Sequence, residues 1–324
     1  MRIAFFDSKP YDEEVFSELK TTDIEMKFFE TKLNEDTVSL AKGFDCICVF
    51  VNDTVNAFVI DALCGYGIKL IALRCAGYNN VDISYARGKI GVVRVPAYSP
   101  YAVAEHTMAL LLTAVRNTHK AYVRTKSFNF SLNGLVGFDL YRKTVGIIGT
   151  GKIGRVFASI CKGFGMRILA YDKYPAENLD IEYTTLDTLF KESDIISLHC
   201  PLNDESYHLI NHDSISLMKD GVILVNTSRG ALVNSEALLE GIRSKKIGGA
   251  CLDVYEEESE LFFEDNSNLI INDDTLALLM TMPNVIVTSH QAFFTKEALS
   301  NIANTTIENI NEFYKTGKCT NEVL

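Results

Sequence analysis

Short apolar runs alternate with longer mixed stretches over the first hundred residues. The apolar runs are four to six residues long and rich in β-branched side chains, which is typical of buried strands, whereas the mixed stretches predict helices. Strands that alternate with helices predict a parallel sheet. The predicted strands cover residues 2–6, 25–30, 45–50, 69–74 and 92–95, and the predicted helices cover about 11–21 and 54–63.

The alternation resumes after residue 144 and continues almost to the end of the chain. A long stretch at about 101–121, apolar nearly all round, separates the two halves and predicts a buried helix at a domain or subunit interface. The pattern indicates an α/β protein with two domains, each built on a mostly parallel sheet flanked by helices. In the second half, the predicted strands cover 144–148, 167–171, 194–200, 221–226, 248–253 and 284–288, and the predicted helices cover 152–163, 187–191, 234–243 and 295–315.

A glycine-rich turn joins the strand at 144–148 to the helix that follows it. Gly149, Gly151 and Gly154 form the pattern G-x-G-x-x-G, with Lys152 and Ile153 between the last two glycines. The first glycine permits a tight turn, the second lets the backbone approach a pyrophosphate, and the third lets the helix pack closely on the strand. The helix N-terminus then offers free N–H groups to the phosphates.

Asp172 ends the next predicted strand, about 20 residues beyond the glycine loop, where a carboxylate accepts hydrogen bonds from the adenosine ribose of a dinucleotide. An ordinary strand–turn–helix unit would not require an acid at this place. The charge of Asp172 would repel a 2′-phosphate, so the sequence favours NAD over NADP. Lys173 follows immediately, which leaves some tolerance of NADP open.

Composition and charge exclude several classes of protein. The net charge of −11 argues against nucleic acid or an anionic membrane as a partner. No apolar stretch approaches 18 residues without a charge, so we expect no membrane span. The eight cysteines form no C-x-x-C pair and several lie in apolar runs, which predicts reduced, packed thiols in the cytoplasm and no metal site.

The polar residues that follow the strands of the second half should converge, because ligands of open α/β sheets lie outside the carboxyl ends of the strands. Arg229 offers a planar guanidinium that matches a carboxylate, and His290 can exchange a proton near neutral pH. A nearby acid would orient the histidine, and spacing does not choose among Glu256, Glu257 and Glu258. His199, at another strand end, is a rival for the proton-transfer role, and each of these residues could instead be purely structural. The strand-end set is Gly149–Gly154, Asp172, Cys200–Pro201, Thr227–Arg229, Asp253 and His290.

These motifs together resemble the D-isomer-specific 2-hydroxyacid dehydrogenases, and among them the fermentative bacterial D-lactate dehydrogenases. The resemblance covers essentially the whole chain. The matching segments are 96–106, the glycine loop, Leu198–Leu202, Asn226–Leu232, Asp253–Glu256 and His290–Phe293.

The resemblance implies roles for the strand-end residues of the second half. Arg229 resembles the arginine that binds the substrate carboxylate and polarises the keto oxygen, and His290 resembles the acid/base. Glu258 matches the glutamate that pairs with that histidine, and Asp253 matches a residue near the nicotinamide. The residues implied to surround NAD are Gly149, Gly151, Lys152, Ile153, Gly154, Asp172, Cys200, Pro201, Ser206, Thr227, Ser228, Arg229 and Asp253, although many relatives carry Asn where Ser206 stands.

The resemblance also implies a substrate site in the first half. Ala76 and Gly77 correspond to backbone N–H donors, and Tyr98 corresponds to a tyrosine whose hydroxyl reaches the substrate carboxylate. Arg229 and His290 complete the implied substrate site. Phe293 resembles the aromatic residue beside the substrate side chain. A methyl group fits there, which favours pyruvate and D-lactate. A bulkier 2-oxo acid is the first alternative, and an NAD(H)-sensing binding protein like the co-repressors of this superfamily is the second.

The domain layout is implied by the same resemblance. A Rossmann NAD-binding domain, residues 100–295, is expected to be inserted into a flavodoxin-like substrate domain formed by residues 1–99 and 296–324. The helix at 101–121 belongs to the NAD-binding domain and pairs subunits, so we expect a homodimer or homotetramer.

Overall fold

The computed structural model describes residues 1–19, 23–176, 181–257 and 261–323. Helices and strands alternate along the chain, as the sequence pattern predicts. The strands are β1 (Arg2–Phe5), β2 (Glu25–Phe28), β3 (Cys46–Val49), β4 (Leu70–Leu73), β5 (Gly91–Arg94), β6 (Thr144–Ile148), β7 (Arg167–Tyr171), β8 (Glu182–Tyr183), β9 (Ile195–Leu198), β10 (Val222–Asn226), β11 (Ile247–Leu252) and β12 (Val285–Val287). The helices are α1 (Pro10–Ser17), α2 (Ala57–Gly65), α3 (Ile83–Ala86), α4 (Pro100–Arg116), α5 (Thr118–Lys126), α6 (Lys152–Gly163), α7 (Leu186–Glu192), α8 (His212–Leu217), α9 (Ser235–Arg243), α10 (Asp274–Thr281) and α11 (Lys296–Thr316).

The chain divides into two compact units. Unit 1 consists of Met1–Ser99 and Phe293–Leu324, and unit 2 consists of Pro100–Ala292. The boundary expected at residue 296 falls within the returning segment of unit 1. The substrate and cofactor roles of the two units stay predictions.

Unit 1 is built on a five-stranded parallel sheet in the order β2-β1-β3-β4-β5. The inner strands β3 and β4 are apolar and buried at every position, as strands covered by helices on both faces of a parallel sheet are. Cys46 and Cys48 of β3 are fully buried and act as small apolar side chains. Helix α11 starts at the Thr295 cap and buries Ala303 and Ile310 in this core.

Unit 2 is built on a seven-stranded parallel sheet in the order β12-β11-β10-β9-β6-β7-β8. In this unit the chain starts at the inner strand β6, continues through β7 to the edge strand β8, and then returns through β9 toward the other edge. The order therefore reverses between β6 and β9, which creates the crevice in which open α/β sheets bind ligands. The α/β class and the parallel sheets of the sequence prediction are confirmed.

The prediction of a single long helix over 101–121 was wrong. Helix α4 ends at Arg116, and Asn117 adopts a left-handed backbone with φ of 50° before α5 begins. Asn tolerates this conformation better than most residues, so it can break a helix without glycine. The buried character belongs to α4, which buries Thr107 and Leu111, whereas α5 buries no residue.

Several short elements were not predicted. Helices α3, α8 and α10 and the two-residue strand β8 are too short for their hydrophobic period to stand out in the sequence. The start of α1 agrees with the prediction, but the helix ends at Ser17, well before the predicted end near residue 21. Among the helices of the described residues, none is long and apolar enough to cross a membrane.

Candidate active site and dinucleotide cleft

The glycine loop of unit 2 begins where β6 ends. Gly149 has φ of 97°, and a Cβ there would lie 2.6 Å from the backbone of His199 and Cys200. A Cβ on Gly154 would lie 2.0 Å from the carbonyl oxygen of Gly149. Both positions therefore require glycine, the first for the turn and the second for the contact between α6 and the loop.

Gly151 is not required by any close contact. It is the N-cap residue of α6, and no side chain caps the helix. A Cβ on Gly151 would meet no atom within 4 Å, so the space above it is open. Lys152 and Ile153 follow in the first turn, whose N–H groups have no intrahelical partners. An open space at an uncapped helix N-terminus fits the pyrophosphate of a dinucleotide.

Asp172 follows β7 and lies beside this loop. Its carboxylate accepts hydrogen bonds from the N–H of Thr150 at 2.6 Å, the hydroxyl of Thr150 at 2.9 Å and the N–H of Tyr174 at 2.9 Å. Partial burial raises the pKa of this carboxyl, but the three hydrogen bonds outweigh it and hold the pKa below its usual value. Asp172 is therefore a negatively charged acceptor at neutral pH.

The loop after β9 carries three predicted cofactor residues. Burial raises the pKa of the Cys200 thiol to about 11, so this side chain stays neutral. The hydroxyl of Ser206 donates to the carbonyl of Pro201 at 2.7 Å and accepts the N–H of Asn203 at 2.9 Å. Ser206 thus organises the turn that follows Pro201, and its contact with NAD stays a prediction.

The loop after β10 is braced at each of its three residues. The hydroxyl of Thr227 lies 2.8 Å from that of Thr107 on α4, and the hydroxyl of Ser228 donates to the carbonyl of Cys200 at 2.7 Å. The carbonyl of Arg229 accepts a hydrogen bond from the side chain of Asn226 at 2.8 Å, and its guanidinium donates to the carbonyl of Ser228 at 2.7 Å. These bonds fix the backbone from which the Arg229 side chain projects.

Asp253, at the end of β11, holds the segment that carries His290. Its side chain is fully buried, and its two oxygens accept the N–H of Gln291 at 2.9 Å and of Ala292 at 2.8 Å. The same carboxylate accepts the hydroxyl of Thr288 at 2.5 Å. His290 itself has φ of 51°, a costly conformation for a residue with a Cβ. The Asp253 bonds on both sides of His290 impose this conformation.

His106 of α4 completes this network, and sequence reasoning did not identify its part in it. Its Nε2 lies 3.2 Å from the Thr288 hydroxyl and 3.3 Å from the Asp253 carboxylate. Because the Thr288 hydroxyl donates to Asp253, the His106 proton must be on Nε2. Burial raises the pKa of Asp253, but the bonds from His106, Thr288 and the backbone outweigh it, so the pKa lies below its usual value. No sequence signal joins residues so far apart.

His199 was the sequence rival of His290 for proton transfer. Its ring packs on Phe157 with ring centres 5.1 Å apart, and its Nε2 lies 2.9 Å from the Ser197 hydroxyl. Burial lowers the pKa of His199 to about 3. A histidine acts as a general acid through its protonated imidazolium form. His199 stays neutral at physiological pH, so it is a poor general acid.

Of the three candidate glutamates, Glu256 is bound to His208 and Ser235. Glu256 bonds to Nε2 of His208 and accepts the hydroxyl and N–H of Ser235, at 3.0 and 3.2 Å. Its carboxylate is therefore engaged with the start of α9. Glu258 lies outside the described residues, so its pairing with His290 stays a prediction. The aromatic ring of Phe263 lies 5.8 Å from the ring of His290, a contact that the sequence did not indicate.

The predicted carboxylate-binding segment of unit 1 follows β4. Arg94 donates to the carbonyl of Ala76 at 2.7 Å, and the Cys75 thiol contacts the carbonyl of Gly77 at 3.2 Å. Since the peptide plane is rigid, the Arg94 bond also fixes the N–H of Gly77, which points the opposite way. Arg74, just before this segment, is 1% exposed and pairs with Asp12 at 3.3 Å.

Phe293 lies in an aromatic group of unit 1. Its ring centre is 6.2 Å from those of Phe50 and Tyr98 and 6.0 Å from that of Phe294. Phe50 and Phe293 are both buried. Phe50 is a site candidate that sequence reasoning missed, because nothing in a buried strand end marks one aromatic as a pocket wall. The Tyr98 carbonyl accepts the side-chain amide of Asn301 on α11 at 2.9 Å.

The structure thus combines an open, uncapped helix N-terminus after the glycine loop, a negatively charged acceptor at Asp172, and a braced arginine and histidine after β10 and β12. These features are expected of a dinucleotide-dependent dehydrogenase. A family model described as "D-isomer specific 2-hydroxyacid dehydrogenase, NAD binding domain" matches residues 108–292. This chain belongs to the D-isomer-specific 2-hydroxyacid dehydrogenases, and it is an NAD-dependent oxidoreductase.

Relatives and solved structures match over the full length. The chain is 49% identical to D-lactate dehydrogenase of Escherichia coli (strain K12), over 100% of both chains, and 49% identical to a 2-hydroxyacid dehydrogenase homolog of Haemophilus influenzae, over 100% of this chain and 99% of the relative. The apo structure of the Escherichia coli D-lactate dehydrogenase gives a TM-score of 0.91 at 46% identity, with all of both chains covered. The structure of a pyruvate reductase from Chlamydomonas reinhardtii gives 0.93 at 42% identity, covering 99% of this chain and 98% of that one.

Proposed function

We propose that this enzyme reduces pyruvate to D-lactate with NADH and catalyses the reverse oxidation with NAD. The observation that carries the choice of substrate is the full-length identity of 49% with a relative named D-lactate dehydrogenase. The reaction type is supported by the position of His290. Asp253, which follows β11, holds His290 in its left-handed conformation, and β11 lies next to β10, the strand that leads to Arg229.

In unit 2, Arg229 and His290 act on the 2-oxo acid. Bound NADH supplies a hydride for carbon 2 of the substrate. Arg229 binds the substrate carboxylate and polarises the keto oxygen, because a planar guanidinium matches a carboxylate and stabilises developing negative charge. His290 donates its proton to that oxygen, and in the reverse reaction it accepts the hydroxyl proton. Glu258 is proposed to pair with His290 and favour its charged form.

In unit 1, the backbone after β4 contributes to carboxylate binding. The N–H groups of Ala76 and Gly77 donate to the substrate carboxylate, and the Tyr98 hydroxyl adds a further bond. The Arg94 bond to the Ala76 carbonyl supports this role because it fixes the orientation of the 76–77 peptide.

The aromatic group around Phe293 also supports pyruvate over a longer oxo acid. We propose that Phe293 borders the substrate side chain and that its packing against Phe50 and Tyr98, with ring centres 6.2 Å apart, restricts the size of that side chain. The test compares kcat/KM for pyruvate, 2-oxoisocaproate and phenylpyruvate. We expect pyruvate to be preferred by about 10- to 200-fold, the usual range for size discrimination in an apolar pocket. A preference for either bulkier acid would contradict the assignment.

The variant Phe293→Ala tests the aromatic group directly. It should lower kcat/KM for pyruvate and raise that for 2-oxoisocaproate relative to the wild type. Phe58→Ala is the matched control, because Phe58 lies on α2 of the same unit and is 57% exposed. If no 2-oxo acid supports oxidation of NADH although NADH binds, the enzyme proposal fails and an NAD(H)-sensing binding protein becomes the better interpretation.

We also propose a homodimer or homotetramer that buries the face formed by α4 and α6. A groove on this face is lined by Tyr101, Met108, Leu112, Val156 and Ile160. Tyr101 is 61% exposed in the single chain, and a second copy would cover it. Light scattering after size exclusion tests the proposal: Tyr101→Glu should shift the enzyme toward monomer, and a monomeric wild type would contradict it.

The same proposal places the enzyme in the cytoplasm. All eight cysteines lie among the described residues, none of them forms a disulfide there, and six of them are buried. Reduced, buried thiols suit a reducing compartment. We also expect neither nucleic acid nor a membrane as a partner, given the net charge of −11.

A further inference from the structure

An ion pair connects two loops at the cofactor edge of unit 2. The ammonium of Lys173 lies 2.7 and 2.6 Å from the two carboxylate oxygens of Glu205. Lys173 follows Asp172 after β7, and Glu205 lies in the loop after β9. Strands β7 and β9 do not pair with each other, because each pairs with β6. The ion pair therefore connects loops on either side of the strand that leads into the glycine loop.

The charges of this region bear on cofactor choice. Asp172 is the acceptor expected for the adenosine ribose, and Lys173 is the next residue. An ammonium at this position would ordinarily attract the additional 2′-phosphate of NADP. Its charge is engaged by Glu205, whose hydrogen bond is the main reason that the pKa of Lys173 is raised. The two carboxylates of Asp172 and Glu205 outnumber the one ammonium of Lys173, so these three side chains together carry a net negative charge.

We propose that Glu205 is a specificity-determining residue: it occupies the ammonium of Lys173 and adds a second negative charge, so the enzyme discriminates against NADP. Without the Glu205 charge, Lys173 is a cation available to a 2′-phosphate. The proposal goes beyond the NAD dependence of the family, because it assigns the discrimination to a pair of side chains rather than to Asp172 alone.

The exposure of the pair makes the proposal testable without loss of the fold. The side chains of Lys173 and Glu205 are 55% and 68% exposed, and exposed ion pairs contribute little to stability. Replacing Glu205 should therefore change the affinity for NADPH and leave the fold intact. A carboxylate can be exchanged for an amide of the same size, which isolates its charge.

The experiment measures the dissociation constants of NADH and NADPH by fluorescence titration, with no substrate present. Glu205→Gln should tighten NADPH binding by about tenfold, because one negative charge near a doubly charged phosphate is removed, and should change NADH binding by less than about twofold. The added variant Lys173→Gln should abolish the gain in the Glu205→Gln background. Raising the salt concentration should reduce the gain, because exposed charges are screened.

Asp220→Asn is the matched control. Asp220 is an exposed carboxylate that pairs with Lys246 at 2.9 Å, and the same carboxylate-to-amide change there should leave both dissociation constants unaltered. An unchanged ratio of NADPH to NADH affinity in Glu205→Gln would overturn the proposal. So would a gain that survives the loss of Lys173. Failure of the wild type to bind NADH would instead contradict the cofactor assignment itself, and activity toward pyruvate does not enter the result.

Discussion

Asp253 fixes the backbone on both sides of His290. The carbonyl of Asp253 accepts the N–H of His290 at 2.7 Å, while its buried carboxylate binds Thr288 before the histidine and Gln291 and Ala292 after it. A single aspartate thereby sets the left-handed conformation of the proposed acid/base. The position of the proposed acid/base therefore depends on a residue that follows the neighbouring strand β11.

The variant Asp253→Asn should therefore impair turnover. The amide replaces one acceptor oxygen with an N–H₂ group that faces donors, which should cost about 1–3 kcal/mol of unfolding free energy. A displacement of His290 by about 1 Å should lower kcat by about 100-fold. Steady-state kinetics and urea denaturation measure the two effects.

Asp194→Asn provides a control for this variant. Asp194 accepts the N–H of Thr144 at 2.8 Å at the opposite end of the unit 2 sheet, so the same chemical change there should cost stability without a comparable fall in kcat. Equal kcat losses in the two variants would show that Asp253 acts only through stability.

His290→Ala tests the acid/base assignment. Removal of the imidazole should lower kcat by about 10²- to 10⁴-fold, the usual contribution of a positioned general acid, while the affinity for NADH changes little. Initial rates at 340 nm and a fluorescence titration give the two quantities. His212→Ala is the control, because His212 is an exposed histidine paired with Glu240. Near-normal turnover in His290→Ala would refute the assignment.

His199 should make the fold sensitive to acid. Its folded-state pKa of about 3 lies below the ordinary value of 6.5, so the unfolded chain binds more protons between these pH values. The neutral His199 ring therefore contributes fully to the free energy of unfolding above pH 6.5. Below that pH its contribution falls by about 1.4 kcal/mol per pH unit. Urea denaturation at pH 7.5 and pH 5 should show a smaller loss for His199→Asn than for the wild type. An equal loss would contradict the burial of the neutral ring.

The buried pair of Arg74 and Asp12 should stabilise unit 1. Arg74→Met leaves Asp12 without its partner, which should cost about 3–5 kcal/mol of unfolding free energy. The double variant Arg74→Met, Asp12→Asn removes the unpaired charge and should recover part of that loss. Urea denaturation measures both. A double variant less stable than the single one would mean that Asp12 is stabilised by other groups.

Much of the fold follows from local patterns in the sequence. The bounds of β6, β7 and α6 agree with the prediction, because buried parallel strands and an amphipathic helix between glycines leave clear hydrophobic periods. The break at Asn117 could not be predicted in the same way. A left-handed asparagine within an apolar stretch has no distinct pattern, and the packing of α4 decides it.

The sequence indicates where the candidate site residues lie along the chain, but it does not indicate which of them contact each other. Strand ends indicated Arg229, Asp253 and His290, since parallel strands bring their carboxyl ends to one edge. The role of Asp253 as the brace of His290 and the part played by His106 depend on contacts between distant segments. The pairing of Glu256 with His208 likewise has no local signal, so spacing alone could not separate the three glutamates.

The most direct test of the central proposal is the chirality of the product formed from pyruvate and NADH. We predict that the purified enzyme oxidises NADH in the presence of pyruvate and that the lactate formed is the D-isomer. Formation of L-lactate, or no oxidation of NADH with pyruvate, would contradict the proposed function.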